Sequence, residues 1–441
     1  MKIFDNRLFA SAGHYLPSFF KMEVLTTESF SDIDTLSEEA AAVYFHEYLH
    51  YIQDISTFNG FSNMIRMGEY IHYAISVIKA GGQTFKVPIN PQENDSGVDT
   101  TVKIIKVLNG DYYNNSEITV SNVELRISNL RLSHGYMLPE VIVTYNGNLT
   151  YNFGASAIME SMAYIGEYYF FPIKESPATF PYKSAELVAK FVFPGFAENI
   201  LNVFSLCDVS LLTSEPGPSF YRGLLKLKDI NYSSNNPKDI YEIFSHEIFE
   251  FEGNKLNQMQ MLSALVVRAN LYLSGYFPQE KYKDNIEWMK HVSLYGFSLR
   301  HANIAFPLDI LLHGSFYKNP ILRHIMTYIG SPLQLNMDDR ASFIIIEGLK
   351  NENFQPDLNW AIAQVHKVFL GSKGGCEMKT FCKQSAHLQN IPDFTNKQCD
   401  TNPWNRVRNR ESCSFVRVIE MWGLQNNYPL NASVINDNAP S

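Results

Sequence analysis

The run from Ser37 to Ser56 contains neither glycine nor proline and carries His46-Glu47-Tyr48-Leu49-His50. No other stretch constrains the chain as much. Thr35-Leu36-Ser37-Glu38 reads as a capping box that starts a helix, with Thr35 accepting from the first turn and Glu38 reaching back. Glu38 and Glu39 suit the positive end of the helix dipole, and Ala40, Ala41 and Ala42 favour propagation. Tyr44, Phe45, Leu49, Ile52 and Ile55 give the helix broad apolar surface, so it should be largely buried. Residues four apart lie on one helical face. His46 and His50 can therefore offer two imidazoles to one metal ion, with Glu47 placed to act on a water beside it. The bland alternative is a core helix whose histidines are hydrogen-bonded and hold no metal.

With 441 residues, 45% apolar and 18% charged, the chain should be globular, with one elaborated domain or two to three smaller ones. The net charge of −9 argues against a general nucleic-acid binder. No apolar run reaches the length of a membrane span, and Met1 to Arg7 carries no signal-like segment. Five cysteines, an odd number, do not suit a secreted disulfide scaffold, so a reducing cytoplasm is expected.

After the motif helix, Asn59-Gly60 reads as a stop, and a second helix is expected from about Ser62 to Lys79. Over 84–153 the periodicity changes. Thr84 to Val87, Thr101 to Val107 and Val123 to Ile127 alternate as strands do, and Val141 to Tyr151 brackets Asn146-Gly147 as a hairpin. A helix then follows from Ala155 to Phe170. Its Glu160 stands among Ala157, Ile158, Met159, Met162 and Ala163. A carboxylate in that company is costly unless paired, protonated or metal-bound, or unless it faces water after all. Glu167, about two turns on, shares its face. Ser214 to Ser219 is the strongest linker signal, and helices dominate 220–370, including a long stretch from Asp239 to Tyr272, with Gly253 a point of interruption, and one over 338–350. Within it, His246-Glu247-Ile248-Phe249-Glu250 resembles the first motif but ends in Glu, and an ordinary helix face is the expectation. The segment 371–441 holds Cys376, Cys382, Cys399 and Cys413, either buried free thiols or a four-cysteine zinc site.

The residues His46-Glu47-x-x-His50 with a distal Glu160 resemble the zincin metallopeptidases, and within them the gluzincin branch. The resemblance covers about 35–170. It implies an α+β, mainly helical fold with a zincin-like core over 1–214, an antiparallel β insertion over about 84–153 between the two motif helices, and a helical region, 220–370, packed on that core. It also implies zinc held by His46, His50 and Glu160, and Glu47 as general base in peptide-bond hydrolysis of a protein or peptide substrate, with narrow range. Tyr164, His134 and His246 are the candidate donors to a developing oxyanion. The chain departs from the pattern in two ways: about a hundred residues separate motif and third ligand, and the position four after Glu160, acidic in thermolysin-like members, is Tyr164. No third histidine follows the motif, so a metzincin is not indicated. Two other readings use the same residues: a zinc hydrolase acting on a non-protein amide, and a scaffold with a degenerate site and a protein partner.

Overall fold

The computed structural model describes residues 8–10, 12–91, 97–115, 117–131, 137–172, 178–233, 235–251, 253–338, 340–346 and 354–431. The motif run forms the helix Glu38–Ser56. Ser37 rather than Thr35 caps it, its Oγ accepting from Ala40 N at 3.3 Å. Glu28 takes the Ser37 N–H at 2.8 Å, and Thr35 instead closes the short turn Ile33–Thr35 by donating to Asp32 O. Both hydroxyls are chemically competent caps, so the chain's path on entry decides between them.

The helix does not stop at Asn59-Gly60, which lie inside the next helix, Phe58–Ala80. The break falls at Thr57, whose extended backbone separates the two. Its hydroxyl serves both sides, donating to Gln53 O at 2.7 Å and accepting from Gly60 N at 3.0 Å.

A five-stranded sheet covers one side of the motif helix, in the order Leu8–Ala10, Gly13–Leu16, Lys21–Val24, Leu333–Leu335, Ala341–Ser342. All pairs are antiparallel except Lys21–Val24 with Leu333–Leu335. Asp54 pins the helix to this layer, accepting from Tyr15 Oη at 2.9 Å and Ser18 N at 2.8 Å. Gln334 donates to Tyr44 Oη from the far side of the chain. Against its other faces pack Phe58–Ala80, Ala155–Phe170 and Lys283–Ala302. Glycine decides one of these contacts: a Cβ on Gly166 would stand 2.5 Å from Leu49 Cδ1, so only glycine lets Ala155–Phe170 lie so close.

The expected hairpin is present. Met137–Tyr145 pairs with Leu149–Phe153 around Asn146 and Gly147, both at positive φ, and Val120–Arg131 completes a three-stranded antiparallel sheet. Thr101 to Val107, however, is not a strand but part of the helix Val98–Asn109. Its buried residues Val102, Ile105 and Leu108 recur every third position, and that spacing prevailed over the local alternation. The Pro-Gly-Pro run expected as a linker starts the helix Pro216–Asp229, with Pro216 at a position where a missing N–H costs nothing. Asp239 to Tyr272 is divided into Lys238–Ser245, a hairpin of Ile248–Phe251 and Asn254–Asn257, and Gln258–Ser274. In place of a helix at 338–350, Ala341–Ser342 is a strand, and 347–350 lie outside the described residues.

The architecture is α+β and mainly helical. Its apolar core is one contiguous cluster with members from Tyr15 to Leu424. Among the described residues no helix is long and apolar enough to cross a membrane. A buried ion pair locks the far end of the motif helix. Arg300 grips Asp208 through two nitrogens at 2.7 and 3.0 Å, reaches Ser56 O and Oγ, and shares Asp208 with Tyr241 Oη. Removing one partner leaves the other charge buried and unpaired. Arg300→Met should therefore destabilise the fold by about 3–5 kcal/mol in denaturant unfolding, and adding Asp208→Leu should recover much of that. A loss below about 1 kcal/mol for the single variant would show that the pair does not hold the helix end.

Candidate metal centre

His46 and His50 sit one turn apart on the buried face of the motif helix, where i and i+4 side chains stack. Their rings are 4.9 Å apart, centre to centre. The helix Ala155–Phe170 brings Glu160 against them. Its Oε2 lies 3.2 Å from His46 Nε2 and 3.6 Å from His50 Nε2. The three ligand atoms lie within 4.8 Å of one another, the one such group of metal-binding side chains among the described residues. A tetrahedral ion with bonds of about 2.0–2.1 Å has ligand-to-ligand edges of roughly 3.3–3.4 Å, so this spacing suits a single ion.

The outer atoms of the same side chains are already committed. His46 Nδ1 donates to Glu167 Oε2 at 2.8 Å, and His50 Nδ1 donates to Gln53 Oε1 at 2.8 Å. Gln53 is itself held by donating to Met159 O at 3.1 Å. Tyr112 Oη donates to the other oxygen of Glu160 at 2.9 Å. These bonds fix the ring orientations and leave both Nε2 atoms and one carboxylate oxygen facing inward, the arrangement usual around ligating histidines.

Two features show that protein groups alone do not satisfy the centre. Among the described residues, His50 Nε2 has no hydrogen-bond partner, and neither does either oxygen of Glu47, although all are buried. A buried polar group left unpaired costs about 1–3 kcal/mol, more when charged. An ion shared by the three side chains would give the His50 nitrogen a partner, and a water beside it would give Glu47 one. The buried group His46, His50 and Glu160 could hold a metal ion.

The electrostatics follow from crowding. Burial opposes a charge on His46, but its hydrogen bonds to Glu160 and Glu167 outweigh this and hold its pKa well above the usual value. Burial alone would raise Glu160, yet His50 and His46 pull it down to about 2. Glu47 goes the other way. Burial pushes it well above the carboxylate range; His46 opposes this, and Glu160 and Glu167 reinforce it. Its carboxyl also lies against the sheet, since a Cβ on Gly13 would stand 3.0 Å from Glu47 Oε1. A side chain on that strand residue would crowd the carboxyl.

His46, His50 and Glu160 thus meet at one place, with the carboxyl of Glu47 close enough to interact with His46 and Glu160. Of the candidate oxyanion donors, His134 lies outside the described residues. His246 ends the helix Lys238–Ser245, and its neighbour Glu247 pairs with Lys226 at 2.8 Å rather than joining the triad. Tyr164 stays near, its hydroxyl pushed up to about 12 by burial and by Glu167. No spacing or motif pointed to Tyr182. It is buried, with its ring 6.0 Å from that of His46, and burial followed by Glu160, Glu47 and Glu167 drives its hydroxyl far up. It is therefore a phenol that stays protonated beside the carboxylates. The support given by Glu167 and Gln53 was also missed, although Glu167 was visibly on the face of Glu160.

If Glu167 orients His46, Glu167→Ala should weaken binding of a divalent ion about 10–100-fold, read by competition with a chromogenic chelator. Unchanged affinity would separate Glu167 from the centre.

In comparisons with known proteins, the chain matches no family model, no curated protein and no solved structure.

Proposed function

We propose that this chain is a zinc-dependent peptidase of gluzincin-like design, with His46, His50 and Glu160 as ligands and Glu47 as general base. The observation that carries this reading is the convergence of three oriented donors on one point beside a buried, unpartnered carboxyl. Zinc is the ion that two neutral imidazoles and one carboxylate suit best. When bound it supplies Lewis acidity, lowering the pKa of a water from 15.7 toward about 7 and polarising a carbonyl.

The chain's own residues supply the rest. Glu47 has no hydrogen-bond partner among the described residues. The positive charge of a bound ion would offset the burial that keeps its carboxyl protonated, and as a carboxylate it would take a proton from an attacking water and return it to the leaving amine. Glu167 and Gln53 keep both imidazoles in the tautomer that presents Nε2. Tyr112 holds Glu160 so that one oxygen faces the histidines. Tyr182, a buried phenol whose ring stands 6.0 Å from that of His46, is the candidate donor to negative charge developing on the carbonyl oxygen. In this reading the helix Val98–Asn109 and the three-stranded sheet are inserted between the two ligand helices of a zincin core.

A peptide substrate is favoured over a small amide by the sheet. Its outermost strand, Leu8–Ala10, pairs only with Gly13–Leu16 among the described residues, and Gly13 abuts Glu47. Such an edge receives an extended chain by backbone hydrogen bonding. The working setting in this reading is the cytoplasm.

Two measurements test it, on a substrate found by proteome-wide cleavage profiling with wild-type protein. Glu47→Gln should retain the helix-bound metal while hydrolysis falls about 10²–10⁴-fold. Cleavage at the wild-type rate by this variant would overturn the mechanism. Tyr182→Phe should lower kcat by about 10²–10³-fold with KM little changed. A fall confined to KM would assign Tyr182 to substrate binding instead.

A further inference from the structure

Four of the five cysteines lie between positions 376 and 413. Cys376 precedes the helix Lys379–Leu388 and Cys382 lies on it. Cys399 belongs to the helix Lys397–Thr401, and Cys413 stands at the start of Ser414–Met421. Nothing in their spacing, which lacks close C-x-x-C pairs, requires them to meet. The fold nevertheless lines one cavity of about 10 Å³ with all four. That is the room of a single small sphere, about one water.

Several details suit an ion there. No disulfide joins any of the four. Cys376 N donates to Cys399 O at 2.6 Å, which ties two of the thiol-bearing segments together directly. Arg406, itself buried, donates through Nη1 to Cys399 Sγ at 2.6 Å and so places a cation beside the four sulfurs. The helices that carry the four are short, below the roughly 12–15 residues at which a helix supports itself. A cross-link at their meeting point would hold segments that local structure alone holds poorly.

We infer that Cys376, Cys382, Cys399 and Cys413 form a tetrathiolate site for a structural zinc ion, separate from the centre on the motif helix. Four sulfurs at about 2.3 Å from zinc stand about 3.8 Å apart. The thiols are looser than that, since only the helix triad has its donors within 4.8 Å of one another. Closure therefore requires rotation about χ1, the one heavy-atom torsion of each cysteine, toward the shared cavity. Four thiolates and one zinc carry a net charge of −2, which the buried guanidinium of Arg406 partly offsets.

The test uses the full chain. In His46→Ala/His50→Ala, which removes two donors from the helix centre, about one zinc per chain should remain by elemental analysis. X-ray absorption should show it surrounded by sulfur at about 2.3 Å. Cobalt substitution should give thiolate-to-metal charge-transfer absorption, and Cys399→Ser should abolish it. Should these variants fail to fold, X-ray absorption on wild-type protein reads the same bond directly. Zinc bound only through nitrogen and oxygen, no zinc retained in the histidine variant, or disulfides among the four cysteines in protein purified under reducing conditions would each overturn the inference.

Discussion

Two imidazoles and two carboxylates, His46, His50, Glu47 and Glu160, are packed together with at most 1% of any of them exposed. Everything around them can be understood as the consequence of that burial. Isolated charges in an apolar interior cost several kcal/mol each, so such a group persists only where partners are supplied. Glu160 is supplied fully, by two histidines on one oxygen and Tyr112 on the other. Glu47 is not supplied at all. The two glutamates of one pocket diverge accordingly, Glu160 drawn down to about 2 by its histidines and Glu47 pushed up by burial.

Holding four such groups in register demands a rigid frame, because a displacement of about 1 Å degrades both ligation and proton transfer. The motif helix is clamped along its length. Tyr44 meets the sheet near the start, Asp54 meets it near the end, and Ser56 is caught by the Arg300–Asp208 pair. Gly166 lets the Glu160 helix approach until the carboxylate reaches both imidazoles. Polar anchors thus fix the helix against sliding, and close packing fixes its distance from its neighbour. His46 and Glu160 stand 114 positions apart in sequence, yet the frame holds His46 Nε2 and Glu160 Oε2 at 3.2 Å.

The parts legible in the sequence were those whose signal is local and strong. The motif helix, the Asn146-Gly147 hairpin and the helix Ala155–Phe170 each carry a strong local pattern, although both boundary signals of the motif helix lay a few residues outside its true ends. Where local signals conflicted, packing decided. Val98–Asn109 alternates like a strand, but three apolar side chains at helical spacing had a core to enter. Pro216-Gly217-Pro218 has linker composition, yet prolines are tolerated in a first helical turn, and these three residues are buried. Tyr182 could not be foreseen. It stands next to the motif histidine only because the chain turns back there, with Phe180 bridging to Asn115, and no spacing within one element records that path.

The partner of His46 could have been found by the same geometry that found Glu160. A residue four positions on is rotated about 40° around the helix and raised about 6 Å, whereas one seven positions on is rotated back by about 20° and raised about 10.5 Å. The second is closer to the original face but farther along the axis. Tyr164 occupies the first position and Glu167 the second. An imidazole standing between the two acids spans part of that rise, since its two nitrogens point in different directions. Glu160 meets Nε2 and Glu167 meets Nδ1, so one helix grips one histidine from both sides. The requirement is therefore not an acid at a fixed offset but a carboxylate whose reach matches the nitrogen turned away from the metal, and a seven-residue step meets it where a tyrosine has taken the four-residue one.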